Sequence, residues 1–199
     1  MANSYRPFGL MPVINNNGTV MRFRRYYIPS SLNAVTIGTP VTIGGSASTV
    51  DTIDGAFVGI GIPSIAVATG GDTNKLLGSI IGFDIIPGNL QTASGFNSAS
   101  QIRIALVVDD PEQEFDIVDD GNTPLTASAV GNNANITIGT ASQTSGDSSS
   151  LNTSSVTTTA TYQLKILGLS PEAGNTFAAN AKWRVKINNH CLANIVAGV

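Results

Sequence analysis

Between Ile102 and Gly121 the chain reads IRIALVVDDPEQEFDIVDDG, and this stretch limits what the rest can build. Ile102, Ile104, Leu106 and Val108 fall on one side of an alternating segment, with Arg103, Ala105 and Val107 on the other. A period of two predicts a half-buried β-strand. Pro111 has no N–H for a sheet ladder and steers Asp110 into extended or turn geometry, so Asp109-Asp110-Pro111 breaks the strand. Phe115, Ile117 and Val118 resume the apolar pattern until Asp119-Asp120-Gly121-Asn122 stops it with turn residues. The pattern predicts a two-stranded β unit with an acidic loop.

Most other segments are short and closed by Gly or Pro. Val35, Ile37, Val41 and Ile43 alternate with Thr and Gly, and the apolar runs 57–62, 65–68 and 76–83 follow. Asp54-Gly55, Pro63-Ser64 and Gly70-Gly71-Asp72 separate them. Near-regular short strands favour a barrel or sandwich over a βαβ fold. The expected class is therefore all-β: small barrel or sandwich lobes, an extended N-terminal arm and at most one short helix. Residues 1–30 are the expected arm, with Pro7, Pro12 and Pro29 forbidding long helices and Asn15-Asn16-Asn17-Gly18 marking a turn. Residues 31–95 form a barrel-like lobe, and 96–199 a second β lobe reached through a polar link at 91–101. Thr123 as N-cap and Pro124 at the first position predict the one helix, ended by Gly131. Within 132–161 the only charge is Asp147, and this Ser/Thr-rich tract is either a mobile loop or β structure with a hydroxyl-rich face. Tyr162, Leu164 and Ile166 alternate with Gln163, Lys165 and Leu167. Trp183, Val185 and Ile187 oppose a wholly basic row, Lys182, Arg184 and Lys186.

Candidate chemistry is sparse. Gly70-Gly71-Asp72-Thr73-Asn74-Lys75 lacks the spacing of a phosphate loop, and Gly59-Ile60-Gly61-Ile62-Pro63 lacks the third glycine of a dinucleotide fingerprint. His190 adjoins the sole cysteine, Cys191, and neighbours on a strand point to opposite faces, the wrong arrangement for a nucleophile and its base. No G-x-S-x-G elbow occurs. One cysteine excludes an internal disulfide and a multi-Cys zinc site. The carboxylates of 109–120 formally allow glycoside hydrolysis, but solvated turn carboxylates are the better reading. Asp116, Asp119, Asp120 and Asn122 are the best-placed oxygen donors for Ca²⁺, without the EF-hand pattern. No catalytic residue, metal or cofactor is expected.

Only 12% of residues are charged, and the charge is uneven. Residues 1–50 carry +4, 51–164 carry −10 and 165–199 carry +3, with seven of the thirteen acids between Asp109 and Asp120. Such a hydroxyl-rich, nearly neutral surface suits packing against neighbours. The candidate interface residues are Arg6, Phe8, Arg22, Phe23, Arg24 and Arg25 of the arm, Asp109, Asp110, Glu112 and Glu114 of the acidic loop, and Lys182, Arg184 and Lys186. The basic row is expected to meet the acidic loop, within a subunit or between subunits. In the arm, Met21, Phe23 and Tyr27 are expected to pack inward or on a partner while the arginines meet acids. Three clustered arginines in a chain of pI near 4.9 argue against nucleic acid. The N-terminus lacks a signal core and no apolar run reaches ~20 residues, so the expectation is a protein made in the cytoplasm with no membrane partner.

Arg6-Pro7-Phe8-Gly9-Leu10, Asp109-Asp110-Pro111-Glu112-Gln113-Glu114-Phe115 and the run from Ala179 to His190 (ANAKWRVKINNH), in this order, resemble the head decoration or cement proteins of tailed bacteriophages. The resemblance implies a β-rich, non-enzymatic subunit, commonly trimeric. Such a subunit binds the outside of an icosahedral head, contacts the major capsid protein and clamps neighbouring capsomers. It also implies a place on the virion exterior after synthesis in the host cytoplasm. Competing readings are another virion part, such as a minor capsid or tail protein, and a carbohydrate-binding β module or adhesin.

Overall fold

The structure, a computed structural model, describes residues 3–13, 21–53, 56–85 and 95–193. The predicted turns at Asn15–Gly18 and Asp54-Gly55, and residues 91–94 of the polar link, lie outside these residues. Along the chain the strands are β1 (Met11–Pro12), β2 (Arg24–Ile28), β3 (Val35–Thr36), β4 (Pro40–Ala47), β5 (Thr52–Ile53), β6 (Ala56–Phe57), β7 (Pro63–Val67), β8 (Gly78–Phe83), β9 (Phe96–Asn97), β10 (Arg103–Val108), β11 (Glu114–Val118), β12 (Asn133–Ala134), β13 (Ile136–Thr137), β14 (Ala141–Ser142), β15 (Gly146–Asp147), β16 (Ser150–Leu151), β17 (Leu164–Leu169) and β18 (Lys182–Ile187). The protein is all-β, as the punctuated sequence predicts. Among the described residues no helix is long and apolar enough to cross a membrane.

Five strands close a small barrel in the order β10-β2-β7-β4-β8. Its seam is the parallel contact of β2 with β7 at Tyr27 and Ser64; the other pairs are antiparallel. The barrel draws on all three predicted segments, since β2 comes from 1–30 and β10 from beyond 96. Its core is Tyr26, Ile28, Val35, Val41, Ile65, Leu77, Ile80, Ala105 and Val107.

Two expectations for β10 are corrected here. The strand is not half-buried: Arg103, Ile104, Ala105, Val107 and Val108 are all buried. The face that enters the barrel is that of Ala105 and Val107, whereas Ile104 and Val108 belong to two outer clusters. Small side chains fit a narrow barrel, and the larger ones cover its outside. Nor do β10 and β11 form one unit. β10 stays in the barrel, while β11 enters a five-stranded antiparallel sheet of order β1-β11-β18-β17-β12.

The inner face of that sheet carries Phe115, Ile117, Leu164, Ile166, Trp183, Val185 and Ile187, all buried. Against it pack Leu10, Leu76, Val108, Ile136 and Leu151, so the arm, the barrel exterior and the Ser/Thr-rich tract share one core. The sharp alternation of 182–187 is realised as predicted. The predicted helix over 123–130 is not. A single 3₁₀ turn, Ala127–Ala129, forms instead, and Thr126 rather than Thr123 precedes it without a side-chain cap. A second 3₁₀ turn spans Thr153–Ser155.

The Ser/Thr-rich tract is built into the fold through hydrogen bonds as well as through its buried Ala134, Ile136 and Leu151. Asp147 is buried and accepts from the Thr39 hydroxyl at 2.8 Å and the Ser149 N–H at 2.7 Å. Gln163 accepts from the N–H groups of Gly71 and Ile136 and donates to the Thr69 carbonyl. Buried polar groups satisfied in this way specify one arrangement.

Candidate docking grooves

β2 begins the barrel directly after Met21-Arg22-Phe23, and β10 ends at Val108. Their antiparallel register places Arg24 opposite Val107, which brings the arm beside the acidic loop. Arg22, Phe23 and Arg24 meet Asp109, Asp110, Pro111 and Leu192 around an open groove of about 680 Å³. Asp109 is buried; it accepts the Tyr26 hydroxyl at 2.7 Å and lies 3.4 Å from the Arg24 guanidinium. Burial, then the hydrogen bond to Asp109, pushes the Tyr26 phenol well above its ordinary value, so it remains a donor. Asp110 accepts the Glu112 N–H and fixes the loop. Arg24 and Arg25 meet acids as expected, Arg25 joining Asp84 at 2.5 Å. Met21 and Tyr27 pack inward, as expected, whereas Phe23 does not. Tyr26 enters the barrel, Tyr27 packs on an outer cluster and Phe23 is exposed, because β2 begins one residue after Phe23.

Arg6 and Phe8 lie in a second groove of about 480 Å³, with Asn3, Ser4, Asn180, Lys182 and the 172–175 turn. The Lys182 ammonium sits 5.1 Å from the Phe8 ring centroid and is ion-paired with Glu172.

Two of the basic row, Arg184 and Lys186, meet the acidic segment within the chain, whereas Lys182 pairs with Glu172. β11 and β18 pair Glu114 with Lys186 and Asp116 with Arg184. Arg184 contacts Asp116 at 2.7 Å and Glu114 at 3.4 Å, and Lys186 contacts Glu112 at 2.5 Å. The hydrogen bond that Arg184 donates to Asp116 holds its guanidinium above its ordinary value. The exposed Lys186–Glu112 pair contributes about 0–1 kcal/mol, so its main effect is on register. Glu112, Glu114, Arg184 and Lys186 are thus engaged with one another on the outer face of the sheet.

The four calcium candidates do not converge. Asp116 is held by Arg184 and Ser170, and Asp120 by Asn122 and Thr153. Asp119 is fully buried and accepts from Trp183 Nε1 at 3.0 Å and from the N–H groups of Gly121, Asn180 and Ala181. Among the described residues no group of three or more acids, histidines or cysteines could hold a metal. His190 and Cys191 point apart: His190 Nδ1 accepts the Leu192 N–H, while Cys191 Sγ contacts the Thr42 hydroxyl.

His190 carries a pH consequence. Burial holds its imidazole below the ordinary 6.5, opposed in part by Leu77, Asp109 and Asp110. The unfolded chain therefore binds more protons between the two values, and stability rises with pH across that window. Its contribution is lost as pH falls below 6.5. Thermal midpoints followed by circular dichroism are expected to drop more steeply from about pH 7 to about pH 5 in the wild type than in His190→Gln. Equal slopes would remove His190 as the cause.

Sequence reasoning did not find Leu192, nor the exposed Phe57, Ile60 and Ile85. Phe57 and Ile60 read as strand residues, and only the bracketing glycines Gly59 and Gly61 signalled a protruding turn. Comparison with known protein families, with curated proteins and with solved structures finds no match for this chain.

Proposed function

We propose that the chain is a structural, non-enzymatic virion protein. In this reading it is a capsid decoration subunit, assembled as a homotrimer, that binds the exterior of a phage head and clamps neighbouring capsomers. The observation that carries the reading is the convergence of Arg22, Phe23 and Arg24 with Asp109 and Asp110 on one groove. Residues far apart in sequence are gathered there, yet Phe23 stays exposed and the Arg24 side chain is 69% exposed. Exposed arginine beside exposed aromatic is the makeup of a docking anchor. The occupant of this groove is a surface segment of the major capsid protein with apolar and acidic side chains. The buried ionisable groups support the non-enzymatic part of the reading: Asp109, Asp119 and Asp147 are each spent on internal hydrogen bonds at separate places.

The test is cosedimentation of the purified protein with undecorated heads. Wild type is expected to pellet with heads at a saturating ratio, and Arg22→Glu with Phe23→Ser to weaken binding by at least about tenfold. A wild-type protein that stays in the supernatant, or one that selects a glycan on an array, overturns the reading.

A further inference from the structure

One wall of the groove between arm and acidic loop hangs on His190. The imidazole is buried, and its Nδ1 accepts the Leu192 N–H at 2.9 Å. Leu192 is 43% exposed and shares the groove wall with Met21, Phe23 and Pro111. An imidazole that accepts at Nδ1 carries its proton on Nε2. Nε2 is buried and faces the Leu77 backbone without a hydrogen bond of good geometry. The backbone on either side of the ring is fixed: the Leu76 N–H donates to the Asn189 carbonyl and the Cys191 N–H to the Leu76 carbonyl, both at 2.9 Å. Leu192 has, among the described residues, the Nδ1 bond as its one hydrogen bond.

We propose that His190 is a proton-operated latch on this groove. Neutral, it holds Leu192 on the wall; protonated, it releases Leu192 and weakens the grip on a docked segment. A proton taken up at Nδ1 turns the acceptor into a donor, so that two donors, Nδ1–H and the Leu192 N–H, face each other. With Asn189 and Cys191 pinned to Leu76, the displacement falls on Leu192. The charged groups acting on the ring are Asp109 and Asp110 of the loop after β10, and Asp109 is itself held by Tyr26 and Arg24 of β2. The Leu76–Leu77 segment brings no titratable side chain, and the Cys191 thiol is turned to Thr42. The new cation is therefore drawn to the carboxylate that also holds Arg24, and both walls of the groove feel one proton. By linkage, a docked segment favours the neutral ring. The inference rests on the reading above for what docks, while the latch itself is decided on the free protein.

The test follows isotope-labelled, full-length protein by NMR from about pH 7.5 downward until the fold is lost. Nδ1 is expected to be unprotonated at the start, and the Leu192 amide resonance to move with the same midpoint as the His190 ring. Circular dichroism is expected to stay unchanged through that midpoint. In His190→Gln, whose side-chain oxygen still accepts, the Leu192 amide is expected to hold still. Cosedimentation of wild type with undecorated heads is expected to weaken at least about fivefold across the midpoint, beyond any change seen with His190→Gln. A proton on Nδ1 at the start, a Leu192 amide indifferent to the ring, unfolding before the ring titrates, or equal pH dependence of head binding in the two proteins overturns the inference. Latch behaviour in the free protein with no head binding at any pH overturns the proposed function and leaves the latch standing.

Discussion

Asp119→Ala is expected to destabilise the protein by about 3–5 kcal/mol, because it strands four donors at once. Trp183 Nε1–H and the N–H groups of Gly121, Asn180 and Ala181 all converge on this one carboxylate. Each buried donor left without an acceptor costs roughly 1–3 kcal/mol, reduced where water can reach it. For a chain of this size the loss corresponds to a fall of roughly 6–20 °C in thermal midpoint. Trp183→Phe keeps most of the ring's packing and removes one donor, so about 1–2 kcal/mol is expected. Urea unfolding by circular dichroism measures both; a loss below 1 kcal/mol for Asp119→Ala would show that the network is not a strong one. The carboxylate has its own pH signature. Burial raises its folded value above 3.8, opposed by its donors. Its contribution is therefore full below 3.8 and lost as pH rises through the folded value, the reverse of His190 and in a more acid window.

The second large effect belongs to Gly9. Its φ is +76°, and a Cβ there would lie 2.2 Å from the Gly38 carbonyl oxygen and 3.0 Å from Asp147 Oδ1. Gly38, at φ +89°, makes the reciprocal approach to the Phe8 carbonyl. This contact seats Leu10, whose N–H donates to the same Gly38 carbonyl and whose side chain is fully buried. Gly9→Ala therefore combines a left-handed backbone penalty of about 1–2 kcal/mol with a displacement of backbone on the facing segment. The expected total is at least about 3 kcal/mol, with cleavage of residues 3–12 in limited proteolysis. Gly131→Ala is the matched comparison: φ is +86° but nothing lies within 4 Å, so only the backbone penalty applies. Equal losses in the two variants would mean that the Gly9–Gly38 approach is not tight.

These two sites mark where sequence reading succeeds and where it stops. The alternation of 182–187 gave both the buried Trp183 face and the basic row, because an antiparallel sheet with one covered face imprints a period of two. The parity of β10 was not legible, since a strand covered on both sides alternates between two apolar environments and not between core and water. The Ser/Thr-rich tract concealed its order because Asp147, Gln163 and Thr39 hold it by hydrogen bonds whose partners are remote in sequence. Thr123-Pro124 satisfied the local rules for a helix start, but the Thr123 N–H is bonded to the Thr153 hydroxyl and the chain turns instead. Of the candidate surface, the charges of the arm and loop were readable. Their gathering with Leu192 depended on the barrel's closure through β2 and β10.

The path of the chain between barrel and sheet has a mechanical corollary. It crosses once from β1 in the sheet to β2 in the barrel, and again from β10 in the barrel to β11 in the sheet. At each end of these crossings the strands are partnered, β1 with β11 and β2 with β10. A pull on one module is therefore transmitted to the other along two covalent connections, and severing either one alone leaves the modules fastened by the second.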